Sequence, residues 1–444
     1  MKKLILIAAA SAVFVPNVVG AQGAAWLQDR SRAQGPGFRV GNLELHPGVG
    51  AEVGYDSNVF FEDNDDGPRE PTGSVIFRIT PHLYLSTLTR QRQREGEGQD
   101  DQDAPAPRVQ FSAGVSGEAY IFLEDEARSN FALNGDFDLH INPKGRFGFR
   151  IYDNFQRAIR PFTGRVGSGD RNYGVDTNTA GVQLIGQSRG GVVKTSLGYA
   201  FRLQYFENQD FRYANQFGHQ VNADIHYRFL PSTAIFWDAT ADFTDFYNAD
   251  DSAAPLSLTN NWRLRTRIGL NGIITPKVSA TAAVGYTATF IDSPTVDDFE
   301  SVLVLLGLKL RLTPTVTVDF GYERENAGSV VGLYRTQDRG YLNFQWLLGR
   351  SFLLSLNTWV ARIQFGEIFD SAGTSLGERD DIYLSLRLFG EYRFTDYLAI
   401  NASVGYFGDF TDFEFQVEDG MGGLIPDPAG FNKVEAWLGI RVFY

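Results

Sequence analysis

Along most of the chain, hydrophobic and polar residues alternate with a period of two. In the run 278–290, Val278, Ala280, Val284, Tyr286 and Phe290 share one parity, Ser279, Thr281, Gly285 and Thr287 the other, and no helical period fits. The same alternation recurs at 131–141, 235–243, 262–274, 382–394 and 398–406, and again at the end, where Val434, Ala436, Leu438, Ile440, Val442 and Tyr444 oppose Glu435, Gly439 and Arg441. These segments predict strands about twice the usual globular length, each with one oily face.

Short turn-like connections (142–145, 188–191, 230–233, 275–277, 313–315, 348–351, 395–396) alternate with longer ones rich in Asp, Gly and Ser (56–72, 162–177, 248–260, 292–300, 325–336, 366–379, 409–431). With the shorter links 124–129 and 207–216 counted among the long ones, nine hairpins and about eighteen strands are expected, an even number that returns both ends to one side. The expected fold is all-β: a transmembrane antiparallel up-and-down β-barrel whose first strand, near 45–55, pairs with the last, 434–444, because no edge can stay unpaired in lipid. One connection breaks the alternation, the charged, proline-bearing run 91–107, read as a disordered insert. The third long connection, 162–177, could fold inward as a constriction.

The N-terminus changes the picture next. Lys2 and Lys3, an apolar run from Leu4 to Val15 and small residues up to Ala21 have the order of a secretory signal peptide. The expected organisation is a signal peptide over 1–21, a short periplasmic leader over 22–41, and the barrel over 42–444. No later apolar run approaches the roughly 20 residues of a spanning helix. The chain has no cysteine, which excludes disulfides and thiolate metal sites, and its net charge of -13 argues against nucleic acid as a partner. Glycine (47), Phe (36) and Tyr (19) are abundant, as half-oily strands require.

If the apolar parity faces lipid, the other faces the lumen. That parity holds many charges, and one cluster stands out: Arg263, Arg265 and Arg267, beside Lys309 and Arg311 two strands later and opposed by Asp238 and Asp242 on the preceding strand. It is either a charged wall that orders anionic solutes or polymer, or a set of cross-strand pairs that keep the wall solvated, with pairing favoured. Lumen-parity rings (Tyr120, Tyr152, Tyr341, Tyr383, Phe389) could form a carbohydrate-stacking track, and rings near strand ends, such as Tyr55, Trp262 and Tyr406, suit interfacial girdles. No catalytic motif, phosphate loop or cofactor fingerprint is present, so neither an enzyme nor a cofactor is expected. The acidic run 62–67 lacks the distal Glu of a calcium loop, and its carboxylates are better read as solvated or bridging lipopolysaccharide.

The phrase Leu45-His46-Pro47-Gly48-Val49-Gly50, followed by Gly54-Tyr55-Asp56-Ser57-Asn58-Val59-Phe60, resembles the opening strand and loop of the outer-membrane β-barrel porin family associated with exopolysaccharide export. The resemblance implies a passive outer-membrane conduit for polysaccharide that works with periplasmic export components. It also implies that the terminal strand, through Ile440, Val442 and Tyr444, is read by the barrel-assembly machinery. The alternative is a general diffusion porin for small hydrophilic solutes.

Overall fold

The computed structural model describes residues 23–28, 34–63, 70–88, 108–124, 129–160, 173–248, 258–293, 296–329, 332–349, 351–369, 374–418 and 423–444. The expected signal peptide, the insert 91–107 and most of the third long connection lie outside them. The strands are β1 (Phe38–Val40), β2 (Leu43–Asp56), β3 (Ser74–Thr87), β4 (Val109–Phe122), β5 (Asn130–Ile141), β6 (Phe147–Arg160), β7 (Tyr173–Gln187), β8 (Val193–Phe206), β9 (Gln216–Leu230), β10 (Thr233–Asp245), β11 (Asn261–Thr275) and β12 (Val278–Ile291). They continue with β13 (Phe299–Thr313), β14 (Val316–Gly328), β15 (Tyr334–Leu348), β16 (Phe352–Phe365), β17 (Ile368–Phe369), β18 (Ser375–Gly377), β19 (Asp380–Thr395), β20 (Leu398–Phe410), β21 (Glu414–Glu418), β22 (Leu424–Pro428) and β23 (Phe431–Phe443).

A single 19-stranded sheet contains all of these except the two small hairpins β17–β18 and β21–β22. Apart from the three-residue β1, its members are eighteen long strands, each antiparallel to its chain neighbour. β2 and β23 close the ring, with Gly48 opposite Phe443, Ala51 opposite Ile440 and Asp56 opposite Glu435. Closure is therefore direct, first long strand to last. Below it, β1 takes over the edge of β2 that β23 leaves unpaired: Phe38 faces Leu45, and the Phe38 and Tyr444 rings lie 4.2 Å apart.

The parity reads as the inverse of a soluble sheet. On β23, Leu438 is 61% exposed and Ile440 49%, while Arg441 is 0% exposed and Lys433 2%. Similar exposed apolar rows run along the other long strands: Val49 and Val53, Phe77 and Ile79, Ile268 and Leu270, Leu386 and Leu388. Water could not stabilise such a band, but lipid does, and strands of 12 to 16 residues exceed the roughly 9–11 needed to cross a bilayer. The class is a membrane-spanning β-barrel.

Several boundaries differ from expectation: the leader 22–41 contains β1, the connection 325–336 overlaps the ends of β14 and β15, and the connection 366–379 contains the hairpin β17–β18. The third long connection ends at Tyr173, because Val175 and Asp176 continue the ladder opposite Ala158 and Arg157. The connection 409–431 contains the hairpin β21–β22, in which Phe415 faces Asp427. Phe413, Phe415 and Ala429 there pack with Ile368 of β17, so these two long loops share an apolar core. A second loop core joins Phe206, Tyr213, Ala214, Phe246, Leu258 and Leu333, and burial in it pushes the Tyr213 phenol up to about 12.

Candidate functional site

With the apolar parity outside, the functional surface is the inner wall. Asp238 and Asp242 project inward from β10, and the register puts them opposite Arg267 and Arg263 of β11. Arg263 reaches the Asp242 carboxylate at 3.0 Å, and Arg202 of β8 approaches the same group at 3.5 Å. Gln220 Nε2 donates to it at 2.8 Å. Arg267 meets Asp238 at 3.1 Å and, three strands on, Glu325 of β14 at 3.8 Å. An ion pair that skips two intervening strands is possible only on the concave face of the sheet. Arg265 differs from its two neighbours: the register sets it between Thr240 and Thr287, and it makes no ion pair among the described residues.

Lys309 and Arg311 do not sit beside this triplet. Through β12, Lys309 is level with Ser279 and hence with Ile273, six positions along β11 from Arg267, or about 20 Å at the rise of a strand. Both are exposed and lie toward the end of the barrel that carries the short turns. The cluster inferred from spacing thus separates into an arginine triplet in the loop-side half and two cations near the opposite mouth. Antiparallel registry, invisible in the alternation alone, is the reason.

The wall around the seam between β2 and β23 is built differently. Arg78 of β3 pairs with Glu52 of β2 at 2.6 Å and lies 4.0 Å from the Trp437 ring centroid. Lys433 is held by Asp56 at 2.7 Å and Glu435 at 2.8 Å. Arg441 meets Glu391 of β19 at 2.5 Å, and Arg379 bridges Asp381 and Asp409 at 2.8 and 3.2 Å. All of these charges are buried. Glu435 shares the parity of Arg441, so the alternation made it visible as an inward residue; Lys433, two residues earlier, continues that parity, and its partner Asp56 comes from the other end of the chain.

The opening motif belongs to this seam. The Asn58 side chain accepts from the Glu62 backbone N–H at 2.9 Å and donates to the carbonyls of Glu62 and Asn432 at 2.7 and 3.2 Å. Ser57 N–H donates to the Val434 carbonyl at 3.0 Å, and Ser57 Oγ accepts from Val434 N–H at 2.9 Å. Asp-Ser-Asn is therefore a latch between the first long loop and the last strand. It turns Phe61 inward, onto Phe431 (ring centroids 4.7 Å apart), in a cluster with Tyr383 and Ile363.

That packing also bears on the lumenal rings. Tyr120, Tyr383 and Phe389 are buried beneath the loops and the segment 23–28, so they do not form an open stacking track; Tyr152 and Tyr341 remain half-exposed. Tyr55, Trp262, Phe394 and Tyr444 lie on the outer face, exposed, as girdle rings do. Tyr444 is fixed by its N–H to the Pro47 carbonyl at 2.8 Å, and Ile440 and Val442 lie outward on β23. No cluster of His, Asp and Glu able to hold a metal occurs among the described residues.

No family model and no curated protein matches the sequence. Among solved structures, the chain is similar to OccAB2 of Acinetobacter baumannii (8% identity, 91% of this chain and 98% of that one, TM-score 0.45). It is also similar to the FrpB iron transporter of Neisseria meningitidis, F3-3 variant (9%, 90% and 81%, TM-score 0.44), and to the siderophore receptor PirA of Pseudomonas aeruginosa (7%, 90% and 80%, TM-score 0.42). The functional reading therefore rests on the chain's own residues.

Proposed function

We propose that the protein is a passive, water-filled pore of the bacterial outer membrane, with exopolysaccharide leaving the cell as its preferred cargo. The observation that carries the pore is the pairing of a lipid-type outer face with an inner wall whose central sector is polar, charged and half-exposed. Barrels of this strand number leave an aqueous channel. In this reading Asp238, Asp242, Arg263, Arg265, Arg267, Lys309 and Arg311 line the lumen. The carboxylates offset Arg263 and Arg267, whereas Arg265 is left to meet an anionic group in transit.

Export of polysaccharide is supported by the resemblance of the segments 45–50 and 54–60; the driving force would come from periplasmic partners. Tyr444, Ile440 and Val442 present the terminal strand to the assembly machinery, and lipopolysaccharide surrounds the loop-side rim.

Reconstitution in planar bilayers tests the pore: unitary current steps are expected, and their absence at all voltages would refute it. Loss of surface polysaccharide on gene deletion, with small-solute uptake unchanged, separates export from the general-diffusion alternative. The opposite outcome establishes a diffusion porin.

A further inference from the structure

Residues 23–28 enter the barrel. The Ala24 backbone N–H donates to Glu118 Oε2 on β4 at 2.8 Å. Two residues on, in the 3-10 turn Ala25–Gln28, Trp26 is 2% exposed and packs with Tyr84, Leu353 and Phe389. Its ring fills a notch left by Gly50 of β2, where a Cβ would stand 2.5 Å from the indole. The His82 ring lies 5.4 Å away, and the Arg441 guanidinium 5.1 Å from the indole centroid. These contacts come from β2, β3 and β4 on one side of the seam and from β16, β19 and β23 on the other. The chain then returns to the foot of the seam, where Gly35 lies against the Phe443 backbone.

The opposite side of the segment borders open space. A cavity of about 250 Å³ lies between Ala25 and Trp26 and the neighbouring sector β13–β16, which presents Lys309, Asp319, Asn343 and Asn357. An aromatic ring sunk into a glycine notch, with a backbone N–H tied to a buried carboxylate, is a fixed attachment and not a chain end passing through the lumen.

The geometry points to a lumenal staple: residues 23–28 clamp the two ends of the sheet and narrow the pore from the seam side, so that they set a size limit, with Trp26 as the anchor that holds them there. The clamp stands on its own contacts. The size limit rests on the pore reading above.

The chain has no cysteine, so Ala24→Cys introduces a single thiol at a position that is 1% exposed. In the folded, reconstituted protein this thiol is expected to react slowly with a membrane-impermeant maleimide. Adding Trp26→Ala, or Gly50→Val, which displaces the indole without altering the segment, is expected to speed labelling about tenfold or more, as local opening does. Both variants without the cysteine are expected to raise unitary conductance, by roughly twofold, and to admit larger polyethylene glycols, since the narrowest radius governs passage. Fast labelling in the unaltered background overturns the clamp. Unchanged conductance and size limit in two conducting variants overturn the narrowing. If neither wild type nor variants conduct, the pore reading and the size limit fail together, and the labelling still decides the clamp.

Discussion

Two sectors of the inner wall use the same residue types on the same parity and do different things with them. Around the seam, Arg441 and Glu391 have side chains 0% exposed, and Lys433 sits between two carboxylates, also buried. Across the barrel, Arg263 and Arg267 keep 18% and 20% of their side-chain surface, and Arg150 pairs with Asp138 at 31% and 25% exposure. The difference lies in what covers the wall. Residues 23–28 and residues 57–63 of the first loop lie over the seam sector and withdraw it from water; on β10 and β11 the Asp242 carboxylate is buried between its arginines, 5% exposed, while the arginines keep part of their surface. Covered charges hold the sheet closed, and uncovered ones are available to whatever occupies the lumen.

The largest effect is expected where a covered pair is broken. Arg441→Leu removes the 2.5 Å pair with the Glu391 carboxylate and should cost about 3–5 kcal/mol, as removal of one partner of a buried pair does. The measurement is the temperature at which the folded band converts to the unfolded one on a detergent gel; an unchanged temperature would show that the seam network is not structural. Deleting Tyr444 should lower the amount of protein in the membrane while leaving the conductance of inserted molecules intact, and normal membrane levels would contradict the assembly role.

Asn58→Ala removes a side chain that is 1% exposed together with its hydrogen bonds to the backbone of Glu62 and Asn432, for about 1–3 kcal/mol. Its readout is proteolysis within the first long loop, expected to quicken, while the arginine triplet and its selectivity stay as they were. In the uncovered sector the expected change is in function and not in stability. Arg265→Ser should shift the reversal potential in a salt gradient toward cation preference with no fall in unfolding temperature; a stability loss without a selectivity change would place Arg265 with the seam residues instead. The smallest effect is expected at Arg362, paired with Asp380 where both side chains are about half-exposed (53% and 44%). Such pairs add little, and Arg362→Ala should be indistinguishable from wild type in both assays.

Much of the fold was legible because the alternation of Val278–Phe290 or Val434–Tyr444 has one physical reading when the oily face is this long and continuous. The seam between β2 and β23 followed from the same logic, since a membrane sheet must close. The arginine triplet was legible as an inward feature, but its distance from Lys309 was not: registry is set by hairpin geometry that a period of two does not encode. Trp26 carried no signal, being one aromatic in an aperiodic stretch.

The sequence by itself determined that the chain makes long amphipathic strands, which parity faces lipid, and that the first and last strands meet, because each follows from side-chain alternation and the cost of unpaired backbone in hydrocarbon. Only the tertiary structure decided which inward charges are covered and which are open. That depends on where residues 23–28 and the first long loop fold back. Such placement arises from contacts between residues tens to hundreds of positions apart, such as Ala24 with Glu118 and Asn58 with Asn432, and no local pattern specifies them.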